Sequence, residues 1–240
     1  MAEDTTEASQ RIAARIAGFT LLLLMVSGLI GMFAFGVREV VSGNPVATAR
    51  NLLEHERVFR GKLACEIIML NCDVILALAL YALLEPVNST LALLGSFWRI
   101  ANAVLLGVDV AVSLVRLDLF SNPHLMSIIN PDQLKLFSSI FFGLHSRLGL
   151  MGLIFFCLGA GVHSWLLYKA NYIPRAISGL YLFSSVEMLL CCLVFVLFPQ
   201  TRSMLDPIFL IPDFFAELLT GLWLAVKGVR LADTPIAVVL

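Results

Sequence analysis

Residues 141–170 read FFGLHSRLGLMGLIFFCLGAGVHSWLLYKA, and this stretch decides how the chain folds. It lies within an apolar run, 134–167, that is longer than the roughly 20 residues a helix needs to cross a bilayer. Small and imidazole side chains recur in it at helical spacing: His145, Gly149, Gly152, Phe156, Gly159 and His163. Small residues let a neighbouring backbone approach closely, so we expect this helix-packing stripe to face protein and both imidazoles to point inward.

The composition of the whole chain is that of a membrane protein. Of its 240 residues, 60% are apolar and 14% are charged, against about 45–50% and about 25% in an ordinary soluble domain. This surplus of apolar side chains excludes a soluble enzyme, a disordered chain and a disulfide scaffold. The net charge of −1 indicates no nucleic-acid partner. The expected surroundings are a lipid bilayer.

Apolar runs predict an all-α, polytopic membrane bundle of six transmembrane helices in a single membrane domain, 1–240. The expected helices cover about 16–37, 63–84, 90–114, 134–167, 176–198 and 208–226. Asn44 and Pro45 begin an amphipathic segment, about 45–56, that predicts a short interfacial helix. The stretch SNPHLMSIINPDQ, 121–133, is expected to be a structured loop. Short connections make sequential helices antiparallel neighbours.

Three stretches resemble a known family when they are taken in order. They are LNCDVILALALYALLEPVNSTLALLGSFWRI (70–100), FFGLHSRLGLMGLIFFCLGAGVHSWLLYKANYIPRAISG (141–179) and FFAELLTGLWLAVKGV (214–229), preceded by RIAG at 15–18. Together they resemble a bacterial family of six-helix membrane proteins known as domain of unknown function forty-three eighty-six. The resemblance implies a bacterial inner-membrane protein and no particular reaction. It also implies recurring polar positions at Asp73, Arg99, His145, His163, Tyr172, Pro174, Arg175, Glu217 and Lys227.

Charged residues inside the apolar runs are the candidate functional residues. A charge at mid-bilayer costs about 2.5–3.5 kcal/mol on insertion scales, so each one needs a partner or water. Antiparallel alternation predicts a polar cavity that opens on the side opposite the termini and has Asp73 and Arg99 as its floor. We expect a ligand or proton cavity lined by Asp73, Arg99, Asn102, Asp109, His145, Arg147, Glu187, Asp213 and Glu217. Arg99 is expected to pair with Asp73 or Glu217, either as structural support or as part of the ligand site.

Three classes of function remain open on these residues. The favoured hypothesis is a protein that binds or transports a small cationic or amphiphilic molecule, linked to protons. Its motivation is the excess of carboxylates over arginines. The second is an intramembrane metal-dependent enzyme with His145, Asp109 and Glu217 as ligands, although no metal-binding motif supports it. The third is an assembly or regulatory subunit without chemistry.

The remaining expectations concern partners and location. No cofactor and no resident metal are predicted, and a second copy of the chain is a further candidate partner. Lysines and arginines are balanced between the two sides of the membrane. The first connection is long and carries its own helix, so we expect it to be translocated and the termini to be cytoplasmic.

Overall fold

A computed structural model describes residues 2–35 and 44–230. All the regular secondary structure in that part of the chain is helical. Within these residues there are eight α-helices, and a single 3-10 turn, Pro199–Thr201, precedes the last of them. They are α1 (Ala2–Phe33), α2 (Pro45–Glu54), α3 (Glu56–Leu84), α4 (Ser89–Ser121), α5 (Pro123–Ile128), α6 (Pro131–Ala170), α7 (Arg175–Leu197) and α8 (Arg202–Val226).

Asparagine residues cap several of the helices. The side chains of Asn44, Asn88 and Asn122 accept hydrogen bonds from backbone N–H groups in the first turns of α2, α4 and α5. Asn130 forms a reciprocal capping box with Gln133 at the start of α6. Asn171 ends α6 in the left-handed conformation, with φ of 54°, which asparagine tolerates better than most residues. Capping asparagines therefore fix the starts of four helices and the end of α6.

Four of the helices are long and apolar enough to cross a membrane. They are residues Glu7–Phe33 of α1 and the whole of α3, α6 and α7. With 40 residues, α6 is about 60 Å long at 1.5 Å per residue, twice the roughly 30 Å of a bilayer core. The chain is thus an all-α protein with membrane-type helices.

The six long helices form a closed ring in chain order. α1 packs on α3, α3 on α4, α4 on α6, α6 on α7, α7 on α8, and α8 returns to α1. Glycine permits two of these contacts. A Cβ on Gly18 of α1 would lie 2.3 Å from the backbone nitrogen of Ala225 in α8. A Cβ on Gly159 of α6 would lie 2.9 Å from the carbonyl oxygen of Gly95 in α4.

One end of the ring, which we call the terminal side, holds the start of α1 and the end of α8. An apolar cluster closes it, drawn from α1, α3, α6, α8 and the turn after α6; it includes Leu21, Leu83, Leu167, Ile173 and Leu224. Tyr172 forms hydrogen bonds to both chain ends at this side. Its hydroxyl accepts a hydrogen bond from Gln10 Nε2 at 3.2 Å, and its carbonyl oxygen accepts one from the backbone N–H of Arg230 at 2.9 Å. Burial raises the pKa of the Tyr172 phenol.

The opposite end, the distal side, carries α2 and α5. Leu52 of α2 packs into a cluster with Phe59 and Leu63 of α3, Phe120 of α4 and Leu134 of α6. The expectation of a loop at 121–133 is wrong in part, because Pro123–Ile128 form α5. Asn122 caps it with hydrogen bonds to two backbone N–H groups.

The helices are also longer than their apolar runs predicted. α3 begins at Glu56 instead of 63, and its first turns carry Glu56–Arg60 and Lys62–Glu66 ion pairs of 2.8 and 3.7 Å. α4 continues to Ser121, with the guanidinium of Arg116 5.0 Å above the ring of Phe59. α1 begins at Ala2, within the polar start of the sequence, and its predicted last residues, 36–37, lie outside the described residues.

Candidate functional site

A cavity of about 280 Å³ lies at the centre of the helix ring, and all six long helices contribute to its wall. We call it the central cavity. Its polar lining consists of four carboxylates and one amide: Asp73, Asn102, Asp109, Asp213 and Glu217. The rest of the wall is mainly apolar, with leucine and methionine side chains, Gly149, Gly152 and the ring of Phe156.

The floor of the central cavity is an ion pair between α3 and α4. Arg99 is fully buried and Asp73 is 2% exposed. Arg99 Nε donates to Asp73 Oδ1 at 2.9 Å, and Nη2 lies 2.7 Å from the same oxygen. The Asn102 amide donates to the other carboxylate oxygen of Asp73. Both oxygens of this buried carboxylate are therefore held by donors from α4.

The Arg99 guanidinium also contacts α6 and α7. Its Nη1 donates to Tyr181 Oη of α7 at 3.5 Å, and its carbon lies 5.1 Å from the ring centre of Phe156 on α6. The Arg99 side chain therefore links α4 to three other helices, α3, α6 and α7. Such a buried charge is stable only with this degree of pairing.

Asp213 and Glu217 lie one turn apart on α8, and both line the central cavity. Asp213 Oδ1 accepts from the hydroxyl of Ser184 on α7 at 3.3 Å. Glu217 is 7% exposed, and its Oε1 has no hydrogen-bond partner among the described residues. Within that part of the chain, neither carboxylate forms an ion pair with a lysine, arginine or histidine.

The distal end of the central cavity is marked by a second charged contact, between α4 and α6. His145 Nδ1 lies 2.9 and 2.8 Å from the two oxygens of Asp109. Its N–H is therefore shared by both oxygens of the carboxylate. The Asp109 side chain is 6% exposed, whereas that of His145 is 36% exposed. The pair lies between the buried acids and the distal side of the bundle.

Helix lengths give the depth of these groups, counted at 1.5 Å per residue from the terminal-side end of each helix. Glu217 lies at about 14 Å, Arg99 at about 15 Å and Asp73 at about 17 Å. Asp213 follows at about 20 Å and Asp109 at about 30 Å. The polar residues of the central cavity therefore extend from about halfway along the helices towards the distal side.

The structure does not group all the predicted site residues together. Asp73, Asn102, Asp109, Asp213 and Glu217 line the central cavity, and Arg99 and His145 contact its acids. Arg147 lines a separate groove between α6 and α7, because it lies about 160° around α6 from the helix-packing stripe. Glu187 is half-buried at mid-depth on α7 but does not line the central cavity; its neighbour Met188 does.

The predicted helix-packing stripe of α6 has two parts. Gly152, Gly159 and His163 face α4, where the imidazole of His163 lies against Gly95. His163 is fully buried, and its Nε2 is 3.4 Å from Ser96 Oγ. Gly149 has nothing within 4 Å of an added Cβ and lines the central cavity instead of packing against a helix.

Two residues of the site were missed by the sequence reasoning. Tyr181 and Ser184 of α7 hold Arg99 and Asp213, respectively. They are three residues apart in α7, so they share one face. A search for uncharged polar residues at helical spacing would have found them.

The three residues considered as metal ligands do not meet. Asp109 contacts His145, but Glu217 lies about 16 Å closer to the terminal side along the helix axes. Within residues 2–35 and 44–230, no group of three or more histidine, cysteine or acidic side chains is placed to hold a metal ion.

Comparison with known proteins identifies a family. Residues 16–228 match the family described as Domain of unknown function (DUF4386). No curated protein and no solved structure gives a significant match. The match covers all six long helices in whole or in part, together with every residue of the central cavity. The chain therefore belongs to the DUF4386 family, as its three sequence stretches implied.

Proposed function

We propose that this protein binds a small amphiphilic organic cation in the central cavity and moves it between the cavity and the distal side of the membrane. One observation carries the proposal: four carboxylates from three helices line a single cavity whose remaining wall is mainly apolar. An apolar pocket with a few placed charges is typical of a small-molecule site.

The charges within the site favour a positively charged ligand. Arg99 neutralises Asp73, and His145 contacts Asp109. Asp213 and Glu217 have no such partner in the described residues. Leaving two carboxylates ionised in a low-dielectric site costs several kcal/mol each. Protons or a bound cation must therefore compensate their charge, which links binding of the cation to release of protons.

The apolar wall favours an organic cation over a hydrated metal ion. Leucine and methionine side chains and the Phe156 ring would contact the apolar part of the ligand, and aromatic rings attract quaternary ammonium groups. The acids of the central cavity lead from Glu217 towards Asp109 and His145, so the ligand would enter from the distal side, past that pair.

The membrane arrangement is part of the proposal. We propose that α4 and α8 cross the bilayer along with the four apolar helices, giving six spans. Two observations support spans at α4 and α8. Each helix packs between two neighbours in the ring, and together they supply Arg99, Asp109, Asp213 and Glu217. The protein would reside in a bacterial inner membrane with cytoplasmic termini, and α2 would lie at the distal interface.

Equilibrium binding of benzyltrimethylammonium to the purified full chain tests the proposal. The wild-type protein should bind this cation, and Glu217→Gln and Asp213→Asn should each weaken binding by about tenfold or more, the range for removing one partner of a buried charge contact. Glu187→Gln is the matched control, since it removes a mid-depth carboxylate outside the central cavity.

Two outcomes would count against a cation site. One is equal binding of benzyltrimethylammonium and the uncharged benzyl alcohol. The other is a Glu187→Gln loss as large as that of Glu217→Gln. Complete absence of binding, in a protein that remains folded, would favour an assembly or regulatory subunit.

A further inference from the structure

A second site is built between α6 and α7, on the outside of the helix ring. A groove of about 510 Å³ lies there, with Arg147 at its polar end and an apolar wall formed by Phe142, Leu150, Met151, Phe195 and Val196. We call it the outer groove. It shares no lining residue with the central cavity.

The depth of Arg147 follows from the α6–α7 hairpin. The two helices are antiparallel and joined by a four-residue turn, 171–174. Arg147 lies 23 residues before Ala170, and α7 is 23 residues long. Arg147 is therefore level with the end of α7, about 35 Å from the turn. That distance places its guanidinium just beyond a hydrocarbon core of about 30 Å, at headgroup level.

The other end of the same hairpin has the features of the opposite membrane boundary. Trp165 stacks on Tyr168 with ring centres 6.4 Å apart, and the guanidinium of Arg175 lies 5.8 Å from the Tyr168 ring centre. Aromatic and basic residues of this kind mark the membrane–water interface. The hairpin thus carries one interfacial arginine at each end, and Arg147 lines the outer groove.

The guanidinium of Arg147 is available to a ligand. It is exposed and has no hydrogen bond or ion pair with any described residue. An added Cβ on Gly143 would lie only 2.7 Å from Arg147 Nη1, so the side chain folds back across the bare backbone of the previous turn. Gly143 therefore leaves room for the guanidinium next to the apolar wall.

We propose that the outer groove binds one anionic phospholipid, with its phosphate on Arg147 and one acyl chain along Leu150, Met151 and Val196. A guanidinium pairs well with phosphate oxygens, and anionic headgroups lie at the depth of Arg147. Free phosphate would leave the apolar wall uncovered, and an uncharged lipid would leave Arg147 without an anion. A lipid with a negatively charged headgroup satisfies both ends of the groove.

Native mass spectrometry of the full chain tests this, after equilibration in mixed micelles of equal phosphatidylglycerol and phosphatidylcholine. The wild-type protein should retain phosphatidylglycerol over phosphatidylcholine by about fivefold, the factor expected from one arginine near an anionic lipid. Arg147→Gln should remove this preference. Arg175→Gln, which removes the equivalent charge at the other boundary, should keep it.

A second variant distinguishes lipid binding in the outer groove from non-specific attraction of anionic lipid to Arg147. Met151→Trp keeps Arg147 and fills the groove with a larger side chain at a position that is 43% exposed, so the bundle should tolerate it. It should reduce the one-lipid adduct of both lipids. Three results would overturn the proposal: no preference in the wild-type protein, an unchanged preference in Arg147→Gln, or displacement of the lipid by millimolar inorganic phosphate.

Discussion

Arg99 is the residue on which the interior depends most. It is fully buried and contacts Asp73, Tyr181 and Phe156, which come from three other helices. A buried ion pair adds little net stability over an apolar pair, but removing one partner leaves an uncompensated charge. The two kinds of substitution should therefore behave differently.

Arg99→Met should lower the free energy of unfolding in detergent by about 3–5 kcal/mol, because Asp73 then remains buried without a cation. The double variant Arg99→Met/Asp73→Asn should recover a measurable part of this loss. Unfolding of the wild-type, single and double variants by denaturant gives the comparison. Additive losses would show that the two side chains do not depend on each other.

At the same scale, Asp213 and Glu217 predict the pH dependence of ligand binding. If protons compensate their charge in the empty cavity, a cation must displace them. The affinity for benzyltrimethylammonium should then fall as pH falls, and in Glu217→Gln this dependence should become shallower. Calorimetric titration across the pH range in which the protein stays folded measures both slopes. A wild-type affinity that does not change with pH would contradict the proton linkage.

At the scale of helices, close contacts between α1 and α8 depend on glycine. A Cβ on Gly18 would meet backbone atoms of Leu224 and Ala225 at 2.3–2.8 Å, and backbone cannot move aside as a side-chain tip does. Gly18→Ala should destabilise the protein by about 1–3 kcal/mol, the usual cost of overpacking.

Gly107→Ala is the matched control for that substitution. Gly107 lies within α4 and has nothing within 4 Å of an added Cβ. Alanine there should stabilise the helix by up to about 1 kcal/mol, because glycine is the poorer helix former. Thermal unfolding of both variants in the same detergent measures the contrast, and equal effects would show that the α1–α8 contact is not as close as described.

The sequence predicted where the long helices lie better than where they end. Hydrophobicity identified their apolar segments, but α3 and α4 continue through Arg60, Lys62 and Arg116, because ion pairs and an aromatic contact hold those residues in helix. α5 was missed because a six-residue helix is too short to show periodicity. Its cap, Asn122, and Pro123 at its first position were the available signals.

The candidate site was predictable where the spacing of residues along a helix places them on one face. Arg99 was expected to pair with Asp73 or Glu217, and it pairs with Asp73. Asp213 and Glu217 share a face because they are four residues apart. Arg147 was placed by depth alone and lies in the outer groove, since depth does not determine rotation about the helix axis. Tyr181 and Ser184 were not predicted, because the criterion was a charged residue within an apolar run and both side chains are uncharged.

For the whole molecule, the ring of six helices gives the two sides of the bundle different properties. Apolar clusters pack both ends, but the acids of the central cavity lead from Glu217 towards Asp109 and His145 at the distal side. Our central claim is that this cavity is a cation site with distal access. Gly149 offers a place to test it, because a new side chain there has room and faces the cavity.

The most direct measurement is the rate at which methanethiosulfonate reagents label Gly149→Cys in a background where Cys191, the one native cysteine that is not buried, is serine. We predict that a trimethylammonium reagent reacts at least about tenfold faster than a sulfonate reagent, only from the distal side, and that benzyltrimethylammonium slows it. Gly107→Cys, outside the cavity, should show neither effect. Equal rates for the two reagents at Gly149→Cys, with no protection by the cation, would contradict the account.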